Sequence, residues 1–219
     1  MQMEAPEIVS LDQESLHTQR LYGLENPQSF EFGRRCLLAR RLVEQGVRIV
    51  QVYSGDTGGW DAHRNVLDNH GKYCRQIDVP VAGLLKDLRQ RGLLDHTLVI
   101  WGGEFGRTIY CQGGLSNKNY GRDHHPRCYT KWMAGAGIKG GIVYGETDDF
   151  SYNVTDKPVH IHDLNATILH QFGVDHARLT YRHQGRAFRL TAVHGKVCLL
   201  STSDAADEKR GVDLGGRRI

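Results

Sequence analysis

Apolar and polar positions alternate in two different rhythms along the first hundred residues. Leu11–Tyr22 carries a helical pattern that stops at Gly23, with Pro27 beyond it. From Phe30 to Gln45 the residues Phe32, Cys36, Leu37, Ala39 and Leu42 recur at helical spacing, and Gly46 ends the run. Val47–Tyr53 then turns to β-branched and aromatic residues and predicts a strand, followed by the turn-forming Ser54–Gly59. A second helical stretch runs from Ala62 to Arg91, with a bend predicted near Pro80. Thr97–Trp101 predicts a short buried strand ahead of Gly102-Gly103.

This helix–strand–helix–strand order predicts an α/β fold whose strands are mostly parallel and covered by helices. Gly102–Arg127 has no periodicity, and irregular stretches of that length inside compact domains are usually functional or disordered. Beyond it, Tyr129–Ala134 predicts a strand and Gly135–Gly145 a turn with a short extended pair. His160-Ile161-His162 alternates like a strand, and His162–Phe172 predicts a helix with Asp163 at its N-cap and Gly173 as its stop. Ser201–Ile219 is polar and aperiodic, the pattern of a disordered tail.

Composition narrows the classes open to such a chain. Its 219 residues suffice for one substantial core, and a formal net charge of +3, with the basic residues scattered, gives no electrostatic case for nucleic acid. No apolar run approaches the ~20 residues of a membrane span, and the first six residues show no signal-peptide pattern. The five cysteines form no C-x-x-C pair, which excludes zinc-finger spacing; Cys36 and Cys74 read as small buried hydrophobes within helices. Twelve histidines are the unusual feature, and several stand beside Asp or Gly in loop-like sequence.

Two loops that follow predicted strands gather this chemistry. One is Gly58-Gly59-Trp60-Asp61-Ala62-His63; the other runs from Gly102-Gly103-Glu104-Phe105-Gly106-Arg107-Thr108 to Gly121-Arg122-Asp123-His124-His125-Pro126. Ligands of open α/β sheets bind beyond the carboxyl ends of strands, where these loops fall. Together they offer the carboxylates of Asp61, Glu104 and Asp123 and the imidazoles of His63, His124 and His125. Mixed oxygen and nitrogen ligands suit zinc, manganese or iron better than calcium, with zinc or manganese favoured by the histidines. Arg107 and Arg122 are candidates to clamp an anionic ester. Plainer roles are available to the same residues. Asp61 can cap the following helix, and Glu104 can form a structural ion pair with Arg107. His124 and His125 are adjacent, so only one of them is expected to bind metal while the other contacts substrate or orients a ligand. His70, His96, His170 and His176 read as structural or surface residues, and His160 with His162 is a weak metal candidate.

Five blocks, in order, resemble the family called domain of unknown function 1501. They are Gly59–His63, Gly103–Thr108, Gly121–Pro126, Gly137–Gly141 with Tyr144–Asp148, and His162–Leu164 leading into Ala166–Leu169. The resemblance spans roughly residues 15 to 197. That family is similar to the alkaline-phosphatase superfamily, which includes sulfatases, so the resemblance implies a three-layer α/β/α sandwich and a bimetal centre hydrolysing sulfate or phosphate esters. It matches Asp61 and His63 to the ligands of one metal and His124 or His125 to a late His ligand. Glu104 stands at the Asp of an Asp-His pair, with Phe105 in place of the His.

Superfamily members carry a nucleophile on an early segment of Ser-Gly-Gly-Pro or Cys-x-Pro-x-Arg type, and neither occurs here. The resemblance therefore implies that residues 1–198 form the C-terminal portion of a longer domain, with 199–219 a disordered or non-native tail. A catalytically inactive fragment, acting as a binding or structural module, is the alternative expectation. Relatives with exported-type leaders imply a periplasmic or extracellular setting.

Overall fold

The computed structural model describes residues 9–55, 58–116, 119–191 and 194–198, so the tail expected after residue 198 lies outside the described residues. Helix α1 (Leu16–Leu21) starts at Ser15, whose Oγ accepts the Thr18 amide at 3.1 Å. Helix α2 (Phe30–Glu44) buries Gly33, Cys36, Leu37 and Arg40, residues at i, i+3, i+4 and i+7 on one face. Helix α3 (Val66–Gln90) buries Val66, Tyr73, Pro80 and Asp87. Seven-residue steps are close to two turns, so these four lie along one stripe. The helix continues through Pro80, although proline removes the amide that would bond Gln76.

The core lies where these helices meet: Tyr22, Cys36 and Leu37 are buried with Leu11, Leu21, Leu24, Phe32, Val52 and Leu84 packed around them. Burial pushes the Cys36 thiol up to about 12. Cys74, read from sequence as buried, is exposed on α3.

The strands differ from expectation. β1 (Val99–Trp101) pairs antiparallel with β4 (Trp132–Ala134), and β2 (Gly106–Arg107) pairs antiparallel with β3 (His124–His125). β5 (Glu146–Thr147) pairs with β6 (Val154–Asp156), and β7 (Thr180–His183) with β8 (Arg186–Arg189), again antiparallel. The fold is α/β in content, but its described sheets are two-stranded and antiparallel rather than one parallel sheet.

The reason is visible at residues 47–53. This predicted strand adopts no ladder among the described residues, so β1 gains no parallel neighbour and the alternation never closes into a layer. Ile49 and Tyr53 are 74% and 72% exposed, and only Val52 reaches the core. β1 is accordingly open as well, with Trp101 stacked on Trp132 at 6.2 Å and still 39% exposed.

Helix α4 (Ile161–Gln171) begins one residue before its predicted start. His160, not Asp163, is the N-cap, and its Nδ1 accepts the His162 amide at 3.2 Å. Asp163 sits at N3 and accepts the His160 amide at 3.0 Å, the reciprocal half of a capping box. No described helix is long and apolar enough to cross a membrane.

Candidate metal centre

The loop from Gly58 to His63 is seated on the first turns of α3. The Trp60 ring lies 5.2 Å from that of buried Tyr73, its Nε1 donates to Ser54 Oγ at 3.0 Å, and its carbonyl meets His70 Nε2 at 3.1 Å. Asp61 does not cap α3, because the helix starts at Val66 and Asn65 precedes it with φ 48°. Its carboxylate is free for other work.

The second loop is stapled to the first through its backbone. Val66 N donates to Tyr120 O at 3.1 Å, and Arg122 N donates to Ala62 O at 3.0 Å. Gln112 and Gly121 form a bridge that brings this segment beneath His63. A side chain on Gly121 would overlap the carbonyl carbon and oxygen of His63, so only glycine permits the crossing. Gly106 is similarly held against the Cys128 carbonyl. These contacts bring together three residues that are distant in sequence.

At the centre, Asp61 Oδ1 lies 2.9 Å from His63 Nε2 and 3.0 Å from His124 Nε2. Ligand atoms of Asp61, His63 and His124 all fall within 4.8 Å of one another. In a tetrahedral zinc site with bonds of ~2.05 Å, ligand atoms stand about 3.3 Å apart, so a small opening admits an ion. His63 Nδ1 is 2.5 Å from Gln112 Oε1, which can only accept; Nδ1 therefore carries the proton. A neutral His63 then presents the Nε2 lone pair to Asp61, two acceptors that need a cation between them. A proton or a metal ion fills that need, and the donor set fits the latter.

The electrostatics agree with this crowding of donors around one carboxylate. Partial burial pushes the Asp61 carboxyl up, but the hydrogen bonds from His124 and Arg107 and the neighbouring charges outweigh it and hold the group at about 2. The Gln112 bond, followed by the pull of Asp61, holds His63 above its ordinary value.

The remaining sequence candidates are distributed around this trio. Arg107 Nη1 donates to Asp61 Oδ1, and Nη2 lies 3.3 Å from Glu104 Oε1. Glu104 is at the rim, its carboxylate 4.0 Å from His124 Nε2 and 55% exposed. Asp123 Oδ1 accepts the His124 amide at 2.7 Å and so orients the backbone of that residue. His125, next to His124 on β3, faces the other way and reaches Tyr152 O at 3.1 Å, since neighbours on a strand alternate in direction. Arg122 donates to Thr108 O at 2.6 Å, a bond that braces the loop. His160 and His162 lie outside the trio, at the start of α4.

Three more residues complete the arrangement: Gln112 and Thr108, which sequence reasoning did not single out, and Phe105, which it noted only as standing in place of a His. Gln112 sets the His63 tautomer. Buried Thr108 accepts the Asp123 amide at 3.0 Å, and the Phe105 ring stands edge-on to His124 at 4.9 Å. Gln112 stands 49 positions from the ring it holds, and nothing in its local sequence signals that partnership.

Residues 1–199 match the model of the family described as protein of unknown function, DUF1501. No curated protein and no solved structure matches the chain.

Proposed function

We propose that this chain, which belongs to the DUF1501 family, carries a divalent-metal centre of a sulfatase-like or phosphatase-like ester hydrolase. The observation that supports this reading is the convergence of Asp61, His63 and His124 within 4.8 Å. Two imidazoles and one carboxylate favour zinc, with manganese next. A bound divalent ion supplies Lewis acidity toward a sulfuryl or phosphoryl oxygen.

The protein's own groups do the rest. Gln112 fixes the tautomer of His63, Asp123 fixes the backbone of His124, and Phe105 shields the His124 ring edge. Charge counting indicates the substrate class. Asp61, Glu104 and Asp123 contribute three negative charges, while a divalent ion with Arg107 and Arg122 contributes four positive ones, which leaves the site with a net positive charge. Such a site attracts the anionic head of an ester, and the Arg107 guanidinium matches two tetrahedral oxygens at once. Arg122, engaged with Thr108 O, acts by shaping the loop beneath.

The test is direct. The purified full chain, stripped with chelator and reloaded with zinc or manganese, is expected to bind about one ion, and His124→Ala to lose most of that affinity. Loaded chain is then compared on an aryl sulfate, a phosphate monoester and a phosphodiester. Only trace metal, unchanged by His124→Ala, sinks the proposal. Metal binding without turnover of any ester favours the binding-module alternative.

A further inference from the structure

In the structure the carboxylate of the proposed metal site is already held by a cation of the protein's own, Arg107. Asp61 Oδ1 meets Arg107 Nη1 as well as His63 Nε2 and His124 Nε2, at 2.9 Å and 3.0 Å for the two histidines. A carboxylate oxygen offers about two lone-pair sites; Arg107 and His124 occupy both while the His63 lone pair faces the same atom, so a metal bonds there only in place of a partner already present. A metal bonded to that oxygen would also sit against the guanidinium charge. The two cations compete for one carboxylate.

The surroundings allow one of them to leave. Arg107 and His124 are directly opposed in the β2–β3 ladder, which fixes the Arg107 backbone beside the site whatever its side chain does. The second hold on the guanidinium is weak: Glu104 is 3.3 Å away and more than half exposed. Arg107 can therefore release Asp61 by turning about its own side-chain bonds, without any movement of the loop. It would keep its charge at the rim of the site, where an anion bound to the metal presents its outer oxygens.

We propose that Arg107 is an exchangeable cation that holds Asp61 while the metal is absent and passes to the substrate anion when the metal binds. The idea rests on the metal-centre reading and adds an order of events to it: metal first, anionic ester second. It also makes the two binding steps support each other. By linkage, any factor by which metal strengthens anion binding is the factor by which the anion strengthens metal binding. Without metal, the site is closed to anions because its arginine is paired with Asp61.

The experiment is a zinc titration of the full chain against a chelating dye, in wild type and Arg107→Gln, with inorganic sulfate as the anion probe. Charge-assisted hydrogen bonds are strong enough that removing the competitor should tighten zinc by about tenfold. Sulfate should raise zinc affinity in wild type and should have no such effect in Arg107→Gln. Equal or weaker zinc binding in the variant overturns the exchange while leaving the metal centre intact. Zinc binding by neither protein overturns both readings. Arg107→Lys serves if the glutamine variant does not fold: its single ammonium cannot span Asp61 and Glu104 together, so tighter zinc binding supports the exchange and unchanged binding overturns it.

Discussion

Gly121 shows how much of the site depends on one missing side chain. The His63 backbone passes so close that a Cβ at Gly121 would collide with His63 and with Arg64 N, both of them main chain and unable to swing aside. Gly121→Ala must therefore push the Asp61–His63 loop away from β3, where His124 is anchored. A shift of about 1 Å is enough to spoil ligand geometry. We expect zinc affinity to fall at least tenfold in this variant. Gly114→Ala, at a position with nothing within 4 Å of the added atom, should bind as wild type does. Paired zinc titrations check this, and equal affinity in the two variants would count against the placement of His63. The sequence shows Gly121 only as one more glycine beside a histidine pair. What makes it indispensable is a chain crossing between residues 58 positions apart, which no local pattern records.

At the scale of elements, patterns carried by a single segment were legible and those requiring a partner were not. The stripe on α2 and the stop at Gly46 follow from periodicity alone, and helix α3 lies within its predicted span. Val47–Tyr53 has the composition of a strand, but a strand exists only by virtue of its neighbour, and none pairs with it among the described residues. The same limit applies to the site. Asp61, His63 and His124 were named from residue chemistry, whereas the split between His124 and His125 depends on the register of the two-residue β2–β3 ladder.

Helix α4 provides an element-scale prediction. Asp163 closes the capping box through Oδ2 and accepts the Lys196 amide through Oδ1 at 2.7 Å, so one carboxylate secures both the helix start and the segment at 194–198. Burial pushes its carboxyl up, but the amides of Lys196 and His160 overcome this and hold it below the usual value. A depressed carboxyl contributes stability that is complete above the unfolded value of ~3.9 and is lost as pH falls through the folded value. Asp163→Ala should cost about 1–2 kcal/mol near neutral pH. The difference from wild type should shrink toward pH 3 and below, as the wild-type carboxyl is protonated. Urea melts at pH 7 and pH 3 measure both quantities, and a pH-independent difference would show that the charge plays no part.

For the molecule as a whole, stability has to come from the helices. Each described sheet has only two strands, and a two-stranded ladder is marginal in water on its own. The helices are joined by a buried knot around Arg40, which is 2% exposed. Its guanidinium lies 2.7 Å from Glu14 ahead of α1, 2.6 Å from Glu44 on α2 and 2.9 Å from Asp87 on α3. Asp87 also accepts the Tyr22 hydroxyl at 2.9 Å, which links the knot to the apolar core. Burial pushes the Glu14 carboxyl up, but Arg41 and Arg40 together hold it below its ordinary value, so the knot is intact at neutral pH and loosens in acid. Arg40→Met keeps most of the volume of the side chain but removes the cation that Glu14 and Asp87 share, leaving Glu14 to Arg41 and Asp87 to Arg91, at a cost of about 2–3 kcal/mol. Glu14→Gln, which keeps a hydrogen-bonding group, should cost less. Because Trp60 and Val66 tie the two loops of the candidate centre to α3, the proposed metal binding predicts that loss of the knot also lowers the temperature at which the loaded chain releases zinc. Denaturant titrations of both variants, read beside zinc release on heating, test this. If Arg40→Met unfolds at the wild-type midpoint, the helical knot is not what holds the site in place.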